Sequence, residues 1–215
     1  MNLENLMNKH LTRYFDADRT IPEESLQQLL RFLRSTPSSV NVQASHYIVL
    51  GTPEGKQLLA DNLGERFKDN GEKILNSSHT IIFTTRADAP ESHLDEVFGK
   101  EKADGRFGDP AKQSLWESMT RDFLNLRTYG YKDLGHWMEK QSYLALGMTM
   151  MAAAELGFDA TPLEGFDPTS VDKAFKTRET GYTTTVLLAL GYPDPAKVYT
   201  NPISRFDHDR LFTFA

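Results

Sequence analysis

No cysteine occurs in the 215 residues. That absence excludes disulfides, zinc-thiolate sites, iron-sulfur clusters and cysteine nucleophiles, and it fits a reducing compartment, with the cytoplasm as the expected location. Long apolar runs are missing too. The longest, Tyr143 to Leu156, is broken by Gly147 and Thr149 and ends beside Glu155, short of the roughly 20 residues that a membrane span requires. The first residues, MNLENLMNKHLTRYF, mix charged and apolar groups without a continuous hydrophobic region, so no secretory signal is expected. Basic charge is scarce as well: 24 Lys plus Arg stand against 30 Asp plus Glu, a formal charge of -6. A sequence-blind attraction to nucleic acid or to an anionic membrane is therefore not expected, and neither is a partner of that kind.

The familiar chemical signatures are absent in turn. There is no G-x-G-x-x-G, no G-x-x-x-x-G-K-[ST], no G-x-S-x-G and no H-E-x-x-H, so Rossmann, P-loop, α/β-hydrolase and zincin chemistry lack their motifs. The histidines His10, His46, His79, His93, His136 and His208 include no pair at i, i+3 or i+4 and no carboxylate at ligand spacing. No metal site is expected.

What is present can build a core, with 39% hydrophobic residues, 11% of the chain being aromatic. We find no linker, repeat or low-complexity tract, and expect one domain over residues 1–215. Thr20-Ile21-Pro22-Glu23 reads as a capping box opening a helix. Leu26, Leu29, Leu30 and Leu33 then recur at the spacing of one apolar stripe, ending near Ser35 and Thr36 before Pro37. His46 to Leu50, Thr80 to Thr85 and Tyr182 to Leu190 are rich in β-branched and aromatic residues and read as central strands. Between the second and third lie helical segments Glu91 to Lys100, Pro110 to Arg127 and Lys132 to Leu156, with breaks expected at Ala103 to Asp109 and Arg127 to Tyr131. The class is α+β. The last of these helices is apolar nearly all round in its second half, and such a helix must be covered on every side. It reads equally as a central core helix or as a subunit interface.

Cations and amides stand at segment edges: Lys9, His10 and Arg13 early, Asn70 and Lys73 in a helix, Arg205 near the end. Taken singly, each reads as an ordinary surface group. Five segments change that reading when taken together: KHLTRYFD (9–16), PSSVNVQ (37–43), NGEKILNSSH (70–79), TPLEGFD (161–167) and ISRF (203–206). In order and spacing they resemble the flavin-binding segments of the oxygen-insensitive NAD(P)H nitroreductase and flavin reductase family. ADGRF at 103–107, WMEKQ at 137–141 and the Gly181-Tyr182 pair extend the likeness over essentially the whole chain.

The resemblance implies a nitroreductase-like mixed sheet surrounded by helices, in an intertwined homodimer whose C-terminal tail, Phe206 to Phe214, adds a strand to the partner's sheet. It implies FMN held between the two subunits. Lys9 and Arg205 match phosphate ligands, with His10 in the same basic cluster, and Arg13 matches a lysine that reaches the ring region. Asn70 and Lys73 match the pair at the pyrimidine edge of the flavin, where a fixed ammonium stabilises the charge that two-electron reduction adds. Pro162, Glu164 and Gly165 match a loop lining the ring, with Gly165 permitting close approach of the main chain. Pro37, Ser38, Ser39 and Asn41 match a loop contributed by the second subunit; without the family context the segment reads equally as a plain loop. Phe123 matches an aromatic closing the substrate channel, or is ordinary helix packing. Val40, Asn70 and Lys73 also border the substrate position.

The sequence departs from the family at several of these points. Leu11 replaces a serine, Ile203 a lysine and Lys9 an arginine in the phosphate pocket, so FMN is expected to sit less tightly. Val40 replaces a threonine and Ala44-Ser45 a Pro-Trp pair, which implies a channel of altered shape. The implied activity is a ping-pong reductase that takes hydride from NAD(P)H and passes electron pairs to nitroaromatics, quinones or flavins. A reductase specialised for one metabolite, such as a dihydropteridine, and a flavin-binding protein without efficient turnover are the alternatives.

Overall fold

The computed structural model describes residues 12–197 and 201–215. Four strands, β1 (Ser45–Leu50), β2 (His79–Arg86), β3 (Asp159–Leu163) and β4 (Tyr182–Gly191), form one sheet in the order β1-β2-β4-β3. Every pairing is antiparallel, so the mixed sheet implied by the resemblance would need a strand from outside the described residues of this chain. The central pair β2 and β4 carries the runs Thr80–Thr85 and Val186–Gly191, buried on both faces, as near-continuous apolar and threonine-rich sequence requires. β3 was not among the strands read from the sequence. It lies at the sheet edge, the position in a sheet where a proline such as Pro162 is tolerated.

Helices cover both faces. On one lie α1 (Glu23–Arg34) and α6 (Leu134–Glu155), packing Leu26, Leu29, Leu33, Ala145, Leu146 and Ala153 against Ile81, Phe83 and Leu188. On the other lie α2 (Pro53–Asp61), α3 (Gly71–Asn76) and α7 (Pro168–Phe175), which bring Leu59, Ile74 and Val171 to Ile82, Leu187 and Ala189. A third apolar cluster joins α4 (Glu91–Ala103) and α5 (Pro110–Asn125) to the start of α6 through Val97, Phe98, Leu124, Trp137 and Met138, and it takes in Val42 and Ala44 from the segment before β1. A short helix, α8 (His208–Leu211), lies in the C-terminal segment.

Two local expectations need correction. Thr20 does not cap α1: Pro22, at φ -58° and ψ 139°, occupies the cap position with no side-chain bond. Glu23 therefore enters the first turn and accepts from Gln27 Nε2 at 2.8 Å instead of reaching back. The expected break at 127–131 is a widened helical turn, Leu126–Tyr131, continuing α5 and closed by Lys132 in the left-handed region at φ 53°. Such a turn carries one residue more than the regular repeat, and periodicity alone does not reveal it.

The buried-on-every-side expectation for α6 is met on one side. Ser142, Ala145, Leu146, Thr149 and Ala153 are buried, whereas Leu144 and Met151 are 46% and 52% exposed. Phe32 of α1, 39% exposed, continues this uncovered apolar face. Together with Met148, Ala152 and Leu156 it lines a cavity of about 460 Å³ between the two helices. No described helix is long and apolar enough to cross a membrane.

Candidate functional site

A cavity of about 350 Å³ opens beside the edge strand, lined by Thr12, Arg13, Asn70, Lys73 and the run Thr161 to Gly165. The fold builds it from three separated pieces of chain. Thr12 is buried and hydrogen-bonds Asp159 at the start of β3, and Thr161 Oγ1 donates to its carbonyl at 2.5 Å. These contacts fasten the segment carrying Arg13 to the edge strand. Asn70 and Lys73 come from the turn Glu65–Asn70 and the first turn of α3. The segment Pro162 to Gly165 is the end of β3 and the loop that leaves it.

Within the cavity the polar groups are tied in series. Lys73 Nζ donates to Asn70 Oδ1 at 2.8 Å, and Asn70 Nδ2 donates to the Gly165 carbonyl at 2.8 Å. A side chain at Gly165 would meet Asn70 Nδ2 at 2.4 Å and Phe67 at 3.3 Å. In this structure the glycine makes room for Asn70. Burial holds the Lys73 ammonium below the ordinary lysine value, and the nearby Arg13 charge adds to the effect, partly offset by Asp69 and Glu72. Two cations drawn together at a partly desolvated site favour an anionic occupant. At the rim, Tyr143 of α6 donates through its hydroxyl to Glu164 Oε1 at 2.6 Å. Burial, then the hydrogen bond and charge of Glu164, raise the phenol well above its usual value, so Tyr143 stays protonated and keeps that carboxylate in place.

The structure thus gathers Arg13, Asn70, Lys73, Pro162, Glu164 and Gly165 into one cavity. It puts Pro37 and Ser38 into another, of about 390 Å³, with Tyr47, Ser45 and Gln141 among its walls. Arg205 lies in the exposed C-terminal segment and donates to the Ser204 carbonyl at 2.7 Å. Ile203 is 40% exposed in the same segment. Phe123 packs edge-on to Trp137, with ring centroids 5.4 Å apart, and under the Arg127 guanidinium at 5.1 Å. Lys9, His10 and Leu11 lie outside the described residues. No group of three or more His, Asp or Glu arranged for a metal occurs among the described residues.

The segment 38–43 carries a feature that its sequence does not announce. Val40, Asn41 and Gln43 all adopt positive φ, at 48°, 52° and 46°, a region that costs a non-glycine residue roughly 1–2 kcal/mol. Valine, branched at Cβ, is among the least suited to it. Three side chains from the helices hold this backbone. Asn41 Nδ2 donates to Glu101 Oε1 at 2.7 Å, His93 Nε2 bonds the Val42 carbonyl at 2.7 Å, and the Ser39 amide donates to Gln141 Oε1 at 2.9 Å. Glu101 is 3% exposed and its same oxygen meets Arg106 Nη1 at 3.1 Å. None of these three holders has an assigned role from the sequence, although Gln141 closes the WMEKQ segment. An isolated Glu, His or Gln on a helix carries no spacing signal, and only the strained loop facing them marks them out.

The residues match known proteins along the same stretch. Residues 6–192 match the Nitroreductase family. The oxygen-insensitive NAD(P)H nitroreductase of Salmonella typhimurium is 33% identical over 186 residues, covering 86% of each chain. The major NAD(P)H-flavin oxidoreductase of Aliivibrio fischeri is 30% identical over 197 residues, covering 92% of this chain and 89% of the relative. A nitroreductase-type structure from Exiguobacterium sibiricum, solved in complex with FMN, superposes with a TM-score of 0.83 at 21% identity, over 99% of this chain and 96% of that one. The α+β fold, the order of the site segments and the extent of these matches show that this chain belongs to the nitroreductase family.

Proposed function

We propose that the chain is an FMN-dependent NAD(P)H oxidoreductase that reduces nitroaromatics, quinones or flavins by a ping-pong exchange of electron pairs. One observation carries the reading: Arg13, Lys73, Asn70 and the Gly165 main chain converge on one cavity of about 350 Å³, within the size range of small-molecule sites. The donor set fits the cofactor, because two cations suit an anionic, charge-accepting ring and the position of Gly165 leaves no room for a Cβ beside Asn70. The names of the Salmonella and Aliivibrio relatives support the nicotinamide reductant, and the Exiguobacterium complex supports FMN.

When bound, FMN supplies the hydride-accepting and hydride-donating chemistry. The chain's part is position and charge. Lys73, fixed by Asn70, holds a positive charge at the end of the cavity where Asn70 and Gly165 meet, and Arg13 adds a second. Preorganised charge of this kind acts without reorganisation during the reaction. Pro162 and Glu164 shape the open side, with Tyr143 holding the Glu164 carboxylate. Lys9, His10 and Arg205 are assigned to the phosphate end.

The working unit is inferred to be a homodimer of single-domain subunits, residues 1–215 each. Pro37 and Ser38 line a different cavity from Arg13 and Lys73 within one chain, and the uncovered face of α1 and α6 offers an apolar surface for a second copy. In this arrangement Pro37, Ser38, Ser39 and Asn41 of one subunit complete the flavin site of the other, Val40 and Phe123 border the acceptor, and the tail crosses to the partner. The lack of cysteine supports a cytoplasmic location.

The absorption spectrum of the purified protein, with FMN added where needed, tests the cofactor. Anaerobic NADH or NADPH is expected to bleach the flavin, and a nitroaromatic or a quinone to restore it. A protein that stays colourless at saturating FMN refutes the proposal. One that binds FMN but fails to reoxidise with any acceptor is a carrier and not a reductase.

A further inference from the structure

Backbone that sits in the left-handed region at three non-glycine positions within four residues does not hold itself there. Local hydrogen bonds account for part of it: the Asn41 amide donates to the Ser38 carbonyl at 2.9 Å and the Gln43 amide to Ser38 Oγ at 3.1 Å. The rest comes from elements far away in sequence. Glu101 and His93 stand two helical turns apart on α4, and both are buried, at 3% and 8% exposure. Glu101 gives one oxygen to Asn41 Nδ2 and to Arg106, while its other oxygen is buried without a partner among the described residues. A carboxyl group buried with one oxygen divided between Arg106 and the amide side chain of a loop, and the other unbonded, serves the shape of that loop. Gln141 grips the same loop from α6, and also donates to the Trp137 carbonyl at 2.9 Å, which fixes its rotamer.

We propose that Glu101, with His93 and Gln141, forms a clamp that holds the Ser38–Gln43 segment in its strained shape so that it can close over the flavin. They are positioning residues, acting through the loop and not on the cofactor. The Asn41 side chain is turned inward to Glu101, so Asn41 joins the flavin site through its backbone, beside Ser38 and Ser39, and its side-chain amide serves as the clamp's handle. This inference deepens the FMN reading and rests on it. It predicts that glycine at Val40, which adopts positive φ freely, removes part of the need for the clamp.

The test is FMN titration, followed by flavin fluorescence, of the wild type, Glu101→Leu, Glu101→Gln, Val40→Gly and the double variant Val40→Gly/Glu101→Leu. Leucine keeps the buried volume and removes the acceptor; Arg106, 42% exposed, can turn to solvent. Glu101→Leu is expected to raise the FMN Kd about tenfold, a change of about 1.4 kcal/mol. Glu101→Gln, which still offers an oxygen to Asn41, is expected to stay near wild type, and Val40→Gly/Glu101→Leu to regain most of the loss. Urea unfolding of each variant without FMN separates this from a general loss of stability: the clamp requires the Kd to rise in Glu101→Leu protein that is fully folded under the titration conditions. His93→Phe, cutting the Val42 grip at a second point, is expected to weaken FMN several-fold and decides the matter should Glu101→Leu not fold. Wild-type affinity in both Glu101→Leu and His93→Phe, or no rescue by Val40→Gly in a folded Glu101→Leu protein, overturns the clamp while leaving the function intact. A wild type that ignores FMN overturns the function and the clamp together.

Discussion

Lys73 shows how one residue's neighbourhood sets its use. Its ammonium is depressed by burial and by Arg13, so it loses its proton at a lower pH than an exposed lysine. Affinity for an anionic flavin should therefore fall as pH rises through that lowered value, below the ordinary 10.5. Lys73→Met should remove this dependence and weaken FMN about tenfold at neutral pH, as expected for loss of a charge-assisted contact of about 1.4 kcal/mol. A pH profile of the Kd that is identical in the two proteins would exclude Lys73 as the source. Gly165→Ala tests the next link. The new Cβ would stand 2.4 Å from Asn70 Nδ2, forcing Asn70 off the Gly165 carbonyl and releasing Lys73 with it. We expect FMN affinity to fall by roughly the same tenfold, with an unchanged far-ultraviolet circular dichroism spectrum. A folded Gly165→Ala protein that binds FMN normally would show that Lys73 does not depend on this chain of bonds.

Elements were legible where a pattern survives in one dimension. The leucine stripe of α1 and the β-branched runs of β1, β2 and β4 gave themselves away, because burial on one face or two imposes a period or a block. β3 did not, since Asp159-Ala160-Thr161-Pro162-Leu163 is short, carries a proline and draws its strand character from β4 alone. The site divides in the same manner. Arg13, Asn70, Lys73 and Gly165 were visible through segment order, whereas Glu101, His93 and Gln141 derive their meaning from a backbone strain that no residue type betrays. α7 gives another such case: Asp172, 2% exposed, accepts from Thr184 N and Oγ1, both at 2.7 Å, from Thr177 Oγ1 at 2.8 Å and from Arg178 Nε at 2.7 Å. Burial pushes its pKa up, but the bonds from Thr184, Arg178 and Thr177 outweigh it and the carboxyl lies below 3.8. The folded form thus binds its proton less readily than the unfolded chain. The stabilisation is fully present above the ordinary carboxylate value and is lost as pH falls through the lowered one. Asp172→Asn should cost about 3 kcal/mol in urea unfolding at neutral pH and shrink that acid-side dependence. A cost below about 1 kcal/mol would mean that α7 is docked by Val171 and its apolar neighbours and not by this carboxylate.

At the scale of the whole molecule, the sheet is saturated at its centre while the surface remains unfinished. Leu144 and Met151 on α6, Phe32 on α1, and Phe206, Phe212 and Phe214 in the tail, the last three 66%, 55% and 86% exposed, leave large apolar side chains in water, and where these adjoin they make a surface suited to a partner. The two halves of the proposed site also fall in different cavities of one chain. The proposed two-fold pairing would answer both at once, burying the α1 and α6 face and bringing one subunit's Pro37 to Asn41 segment to the other's Lys73. The full chain should then run near twice 24.4 kDa by size exclusion with light scattering. Met151→Glu, placing a charge in the middle of the α1 and α6 face, should give monomer that binds FMN at least tenfold more weakly if each site takes a wall from a partner. Truncation after Arg205 separates the two surfaces. If the tail crosses between subunits it should yield monomer or aggregate, whereas an intact dimer would assign the interface to α1 and α6 alone. A wild type that is monomeric and yet binds FMN tightly would mean that one chain closes its own site, and the shared-site arrangement would have to be abandoned.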